Sequence, residues 1–145
     1  MKYTLIVAAA LIAAGGCRIT KVCNSDGGME ITQREGAVAE IHPSDVCFRD
    51  GLSVERTSLT RSKSGFLTST VTVRNLHGDP EDDGREDAFT FRYRFMWLDA
   101  KGAEVLPGAA VWRVEKLGGG ESKPISDTAP AKEAVSCVLR FSHAR

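Results

Sequence analysis

The chain has 145 residues, with 19 basic and 19 acidic side chains that cancel and a hydrophobic fraction of 42%. A neutral chain of this length makes one domain and offers no electrostatic case for nucleic acid or for anionic lipid. Among its four cysteines and three histidines there is no Cys-x-x-Cys pair and no two histidines four apart, so nothing points to zinc, and no cofactor is implied.

Met1-Lys2-Tyr3 is a short basic start, Thr4 to Ala14 is an apolar run, and Gly15-Gly16-Cys17 ends it. A membrane-spanning helix needs about 20 apolar residues, so the run is too short to span and reads as a secretory signal over residues 1–16. Small residues directly before a cysteine resemble a bacterial lipobox, with Cys17 as the acylated first residue of the mature chain. The expected partner is therefore a membrane, reached through acyl chains rather than charge. Arg18 stands where an Asp would signal inner-membrane retention, which favours the outer membrane, facing the periplasm. Residues 17–28, ending in Asn24-Ser25-Asp26-Gly27-Gly28, form a polar tether to a single domain over 29–145.

Met29 to Ile41 can form a hairpin around Arg34-Glu35-Gly36, and His42-Pro43-Ser44-Asp45 breaks the pattern. Leu52 to Leu59 is a strand with imperfect alternation. Phe66 to Arg74 is a better one, with Leu67, Val71 and Val73 on one face and Thr68, Thr70 and Thr72 on the other. An acidic segment, His77 to Asp87, precedes the strongest pattern in the chain. Phe89, Phe91, Tyr93, Phe95 and Trp97 fall on every second residue, which puts five rings on one face of a strand. At about 150–250 Å² each, these rings are the expected core.

Asp99-Ala100-Lys101-Gly102 reverses the chain. Beyond Pro107-Gly108, Ala110, Trp112 and Val114 alternate with Val111, Arg113 and Glu115, which predicts a strand with Trp112 in the core. Gly118-Gly119-Gly120-Glu121 turns again, and Pro124 restricts the next strand to a sheet edge. In the last strand Val135, Cys137, Leu139 and Phe141 oppose Ser136, Arg140 and Ser142. About seven strands with turns between them, and no convincing amphipathic helix, predict an all-β, antiparallel two-layer sandwich.

Val73-Arg74-Asn75-Leu76, the block Tyr93-Arg94-Phe95-Met96-Trp97-Leu98-Asp99 with Gly102-Ala103-Glu104, Trp112, the Leu117–Glu121 turn and Ala129-Pro130 resemble the YcfL-like family of small bacterial lipoproteins over about residues 50–142. The resemblance implies an immunoglobulin-like sandwich on a lipid anchor in the envelope. Its members are largely uncharacterised, so it carries over no catalytic residue.

Candidates for chemistry are few. Asp79, Glu81, Asp83 and Asp87 fall at calcium-loop spacing, but Thr90 stands where the bidentate Glu belongs and strands flank the segment, so a solvated hairpin loop is the better reading. No Gly-x-Ser-x-Gly elbow is present, and the glycine run lacks the Lys-Ser/Thr of a phosphate loop. Cys137 alternates with core residues and reads as a buried thiol, which leaves Cys23 and Cys47 as the candidate disulfide. Arg92, Arg94, Arg113 and Arg140 are placed on outward faces, a stripe that can either bind an acidic partner or a glycan or simply be solvated. The expected function is a non-enzymatic, lipid-anchored envelope domain that binds another protein. The alternative is a small-ligand or calcium-binding module.

Overall fold

The computed structural model describes residues 28–43, 46–78 and 88–144. Cys17, Cys23 and the carboxylates of Asp79, Glu81, Asp83 and Asp87 lie outside the described residues, and only the backbone of Cys47 is described. The strands are β1 (Met29–Arg34), β2 (Glu40–Pro43), β3 (Leu52–Arg61), β4 (Leu67–Asn75), β5 (Phe89–Leu98), β6 (Arg113–Leu117), β7 (Ser122–Thr128) and β8 (Ser136–His143), with one helical turn, α1 (Val46–Gly51), before β3. They form two antiparallel sheets, β2-β1-β8-β5-β6 and β3-β4-β7, which face each other as an eight-stranded sandwich.

The core lies where the two alternating patterns meet. Phe91, Tyr93, Phe95 and Trp97 from β5, with Leu139 and Phe141 from β8, are buried with Leu67, Val71 and Val73 of β4. Phe89 is only partly buried, at the end of the ring ladder. There Phe48, delivered by α1 and not anticipated from the sequence, closes the core, 5.7 Å from the Phe89 ring centroid and 4.5 Å from that of His143.

The imperfect alternation of β3 has a structural cause. Its register with β4 shifts between Val54 and Arg56. A bulge there adds one residue, so Leu52 and Val54 precede a change of parity and Thr57 and Leu59 follow it. As expected for a strand carrying Pro124, β7 is a sheet edge.

Buried polar groups fix how the sheets sit on each other. Gln33 reaches across from β1, donating Nε2 to the Ser58 carbonyl at 3.2 Å and accepting from the Ser69 hydroxyl. Asn75 donates Nδ2 to the Gly118 carbonyl at 3.0 Å and accepts from the His77 amide at 2.9 Å, pinning the glycine turn to the end of β4. Arg61 spends its guanidinium on both oxygens of Glu35, at 2.9 and 2.7 Å, and on the carbonyls of Gly65, Lys132 and Ala134. Three loops are thereby joined at one corner.

The strand expected around Trp112 forms with its faces exchanged. β6 begins at Arg113, and its register pairs Tyr93 with Arg113, Phe91 with Glu115 and Phe89 with Leu117. Directly paired residues share a face, so Leu117 points inward and Val114 outward. Trp112 and Leu117 have opposite parity, and the strand can bury only one of them. It buries Leu117, which is fully enclosed, while Arg113 and Glu115 reach polar partners at the sheet edge.

Candidate functional site: the outward face of β5

The same pleat that sends the rings of β5 inward sends Arg92, Arg94 and Met96 outward. On that face Arg92 lies opposite Ser142 of β8 and Val114 of β6, and Arg94 lies opposite Arg140. The long connection from β5 to β6 first follows β5, with the Val105 amide donating to the Trp97 carbonyl at 2.7 Å. It then turns at Leu106, whose φ of 51° is rare for a residue with a side chain, and places Trp112 against the two arginines. Trp112, expected in the core, is instead 39% exposed. Its ring centroid is 4.8 Å from Cζ of Arg92 and 4.8 Å from Cζ of Arg94.

The electrostatics of this cluster are unusual for the molecule. Arg56, Arg74, Arg113 and Arg140 stand exposed, whereas Arg92 and Arg94 are half-buried. Arg140 pairs with Glu30 at 2.7 Å, Arg113 with Asp127 at 2.8 Å and Arg74 with Glu55 at 3.7 Å. Among the described residues no carboxylate reaches Arg92 or Arg94, and the Nε of each is buried with no hydrogen-bond acceptor. A buried donor left unmade costs about 1–3 kcal/mol, and more when charged. Stacking on an indole returns about 0.5–2 kcal/mol per cation. The pair is therefore held in place but not neutralised by any described residue, and Arg140, directly across from Arg94, adds a like charge already committed to Glu30. Beside Trp112, Val111 and Val114 are 58% and 66% exposed, and Leu106 is exposed too.

The expected stripe of four arginines thus resolves into two groups. Arg113 is not on the outward face. Its pairing with Tyr93 turns it to the inner side at the sheet edge, where Asp127, its hydrogen-bond partner first and its counter-charge second, raises its pKa. Asp127 also accepts from Trp97 Nε1 at 3.0 Å, so this end of the sandwich is closed by an internal network. A cavity of about 140 Å³ lies there between Trp97, Val105, Arg113 and Asp127. That is below the roughly 300–1,000 Å³ usual for small-molecule sites. A groove of about 550 Å³ passes Arg34, Leu98 and the Asp99–Gly102 turn, but Asp99 Oδ1 is already engaged by the amides of Lys101 and Ala103.

Cys137 is buried and unbridged, and desolvation first, then the charge of Asp127, pushes its thiol well above the ordinary range. A thiol so protonated is not a nucleophile. His42 lies near Glu40 at 3.5 Å on the surface, and no group of three metal-ligating side chains gathers among the described residues.

The sequence matches the DUF1425 family of proteins of unknown function over residues 40–142. The fold is similar to the crystal structure of a DUF1425 family member from Shewanella sp. pv-4, at 21% identity and a TM-score of 0.53, covering 85% of this chain and 94% of that one. It is also similar to that of Campylobacter jejuni cj0090, at 16% identity and a TM-score of 0.52, covering 63% of this chain and 85% of that one. Both likenesses speak to the fold alone. No curated protein matches the sequence.

Proposed function

The chain belongs to the DUF1425 family, and from that premise we propose that it is a YcfL-like lipoprotein: an exported, non-enzymatic domain, tied through an acylated Cys17 to the outer membrane and facing the periplasm, that binds another envelope protein. The signal-like start and Gly15-Gly16-Cys17 support the anchor. One observation carries the binding role, which is the exposed apolar run beside Trp112. Val111, Trp112 and Val114 stand in solvent while Leu117, a few residues on, is buried. Exposed apolar side chains grouped in this way, rather than scattered, mark an interaction surface.

The mass of the native protein tests the anchor. It should exceed that of residues 17–145 by the acyl groups, and a mature start elsewhere without acyl mass contradicts it. Capture from detergent-solubilised envelope tests the binding. A protein retained by the wild type should be lost with Val111→Asp/Val114→Asp at unchanged melting temperature. Equal recovery by both, or no specific partner, contradicts the reading.

A further inference from the structure

We infer that Arg92 and Arg94, held by Trp112, form a seat for a carboxylate side chain on an acidic-apolar segment of the partner protein. This rests on the protein-binding reading above and adds the chemistry of what is bound. The argument starts from the guanidiniums. Each has its Nε buried without an acceptor while its Cζ lies 4.8 Å from the same indole. The contact with the indole holds each guanidinium in place, and with Nε buried the two terminal Nη groups are the donors left for a ligand. Those groups match a carboxylate, which accepts two parallel N–H bonds. The apolar surfaces of Trp112 and Val114 lie beside it, and Val114 is paired directly with Arg92 across the strand. A ligand complementary to this surface carries negative charge and apolar side chains within a few ångströms of each other.

Charge decides among the classes of anion. Anionic membranes are read by clusters of about four to eight basic side chains, and nucleic acid by a basic field over a whole face. Here Arg140 is neutralised by Glu30, Arg113 is turned to the other side with Asp127, and the chain carries no net charge. Two guanidiniums with no carboxylate partner among the described residues suit one or two carboxylates, not a polyanion. Arginine and tryptophan are also the residues that dominate binding energy at protein–protein interfaces.

The test uses the purified lipoprotein in detergent and a fluorescent, end-blocked peptide of alternating Glu and Val, with its Gln-for-Glu counterpart. Saturable binding of the Glu peptide is expected, weakened at least tenfold in the Gln peptide and at least tenfold by Arg92→Gln/Arg94→Gln, and unchanged by Arg56→Gln on the other sheet. Nitrogen-15 spectra of the wild type should show the Arg92 and Arg94 side-chain signals moving on titration, and the backbone amide spectrum of the double variant should match that of the wild type away from the substituted strand, which confirms that it is folded. Equal binding of the two peptides, indifference to the double substitution, or no binding overturns the inference. So does an arginine-dependent association with phosphatidylglycerol vesicles in place of the peptide, which would identify a lipid headgroup. If the peptide fails while Val111→Asp/Val114→Asp still abolishes capture, the carboxylate seat falls and the protein-binding role stands.

Discussion

Trp97 donates its indole N–H to Asp127 at 3.0 Å, so the last ring of β5 is tied to the edge strand of the opposite sheet. The other oxygen of Asp127 accepts from Arg113 at 2.8 Å, and one carboxylate therefore closes that end of the sandwich. Emptying the Trp97 site should cost about 3–5 kcal/mol. Asp127→Ala should cost about 1–3 kcal/mol by stranding a buried donor, while Arg94→Ala, on the outward face, loses one contact with Trp112 and should cost about 0.5–1 kcal/mol. Urea midpoints in that order are expected. Equal midpoints for Trp97→Ala and Arg94→Ala would mean the faces of β5 are misassigned.

The exchanged faces of β6 make a second comparison. Leu117→Ala empties a closed site and should cost about 2–5 kcal/mol. Trp112→Ala removes a larger side chain but one that is 39% exposed, and loses its contacts with Arg92 and Arg94, about 0.5–1 kcal/mol each at an exposed site. Denaturant unfolding should therefore rank the leucine above the tryptophan. The reverse order would restore Trp112 to the core.

Glu35 carries a pH signature. Hydrogen bonding to Arg61 holds its carboxyl below the ordinary value of 4.5. A depressed folded value gives stability that is present above the ordinary carboxylate range and drains away as the pH falls through the folded value. The melting temperature of wild type should therefore exceed that of Glu35→Gln at pH 6–7, with the gap closing below about pH 4. A gap that is constant down to low pH would show that the ion pair contributes nothing.

The cysteines divide by burial and by sequence position. Cys137, fully enclosed between β1 and β5, should resist alkylation in the folded protein and react once urea unfolds it. An unreduced peptide map of the protein purified from cells with its N-terminal segment intact should join Cys23 to Cys47, a closure worth roughly 3 kcal/mol in the chain-entropy picture. A cross-link to Cys137, or its rapid labelling in the native state, contradicts this assignment.

Much of the fold was legible in period-two patterns. β4, β5 and β8 each carry a long alternation that burial enforces, and Asp99 with Gly102 announces the turn it makes. The misses have local physical causes. At β3 a bulge changes parity partway along, which a fixed period cannot follow. At β6 two apolar sets of opposite parity compete, and Leu117 wins through its pairing with Phe89, a tertiary fact invisible in a short window. Phe48 was missed because a single helical turn leaves no periodic trace. The candidate site was half legible, since alternation put Arg92 and Arg94 outside but gave no sign that Trp112 would join them.

The proposed role of the Arg92–Trp112–Arg94 face is to meet a partner protein in the envelope. Site-specific photo-crosslinking in living cells tests it most directly, with a photoreactive residue at Val114, exposed beside the cluster, and at Thr60, exposed on the other sheet. A discrete adduct from position 114, absent from position 60 and lost with Arg92→Gln/Arg94→Gln, is the expected result. No adduct from 114 in correctly exported protein, or equal adducts from both positions, would contradict the account.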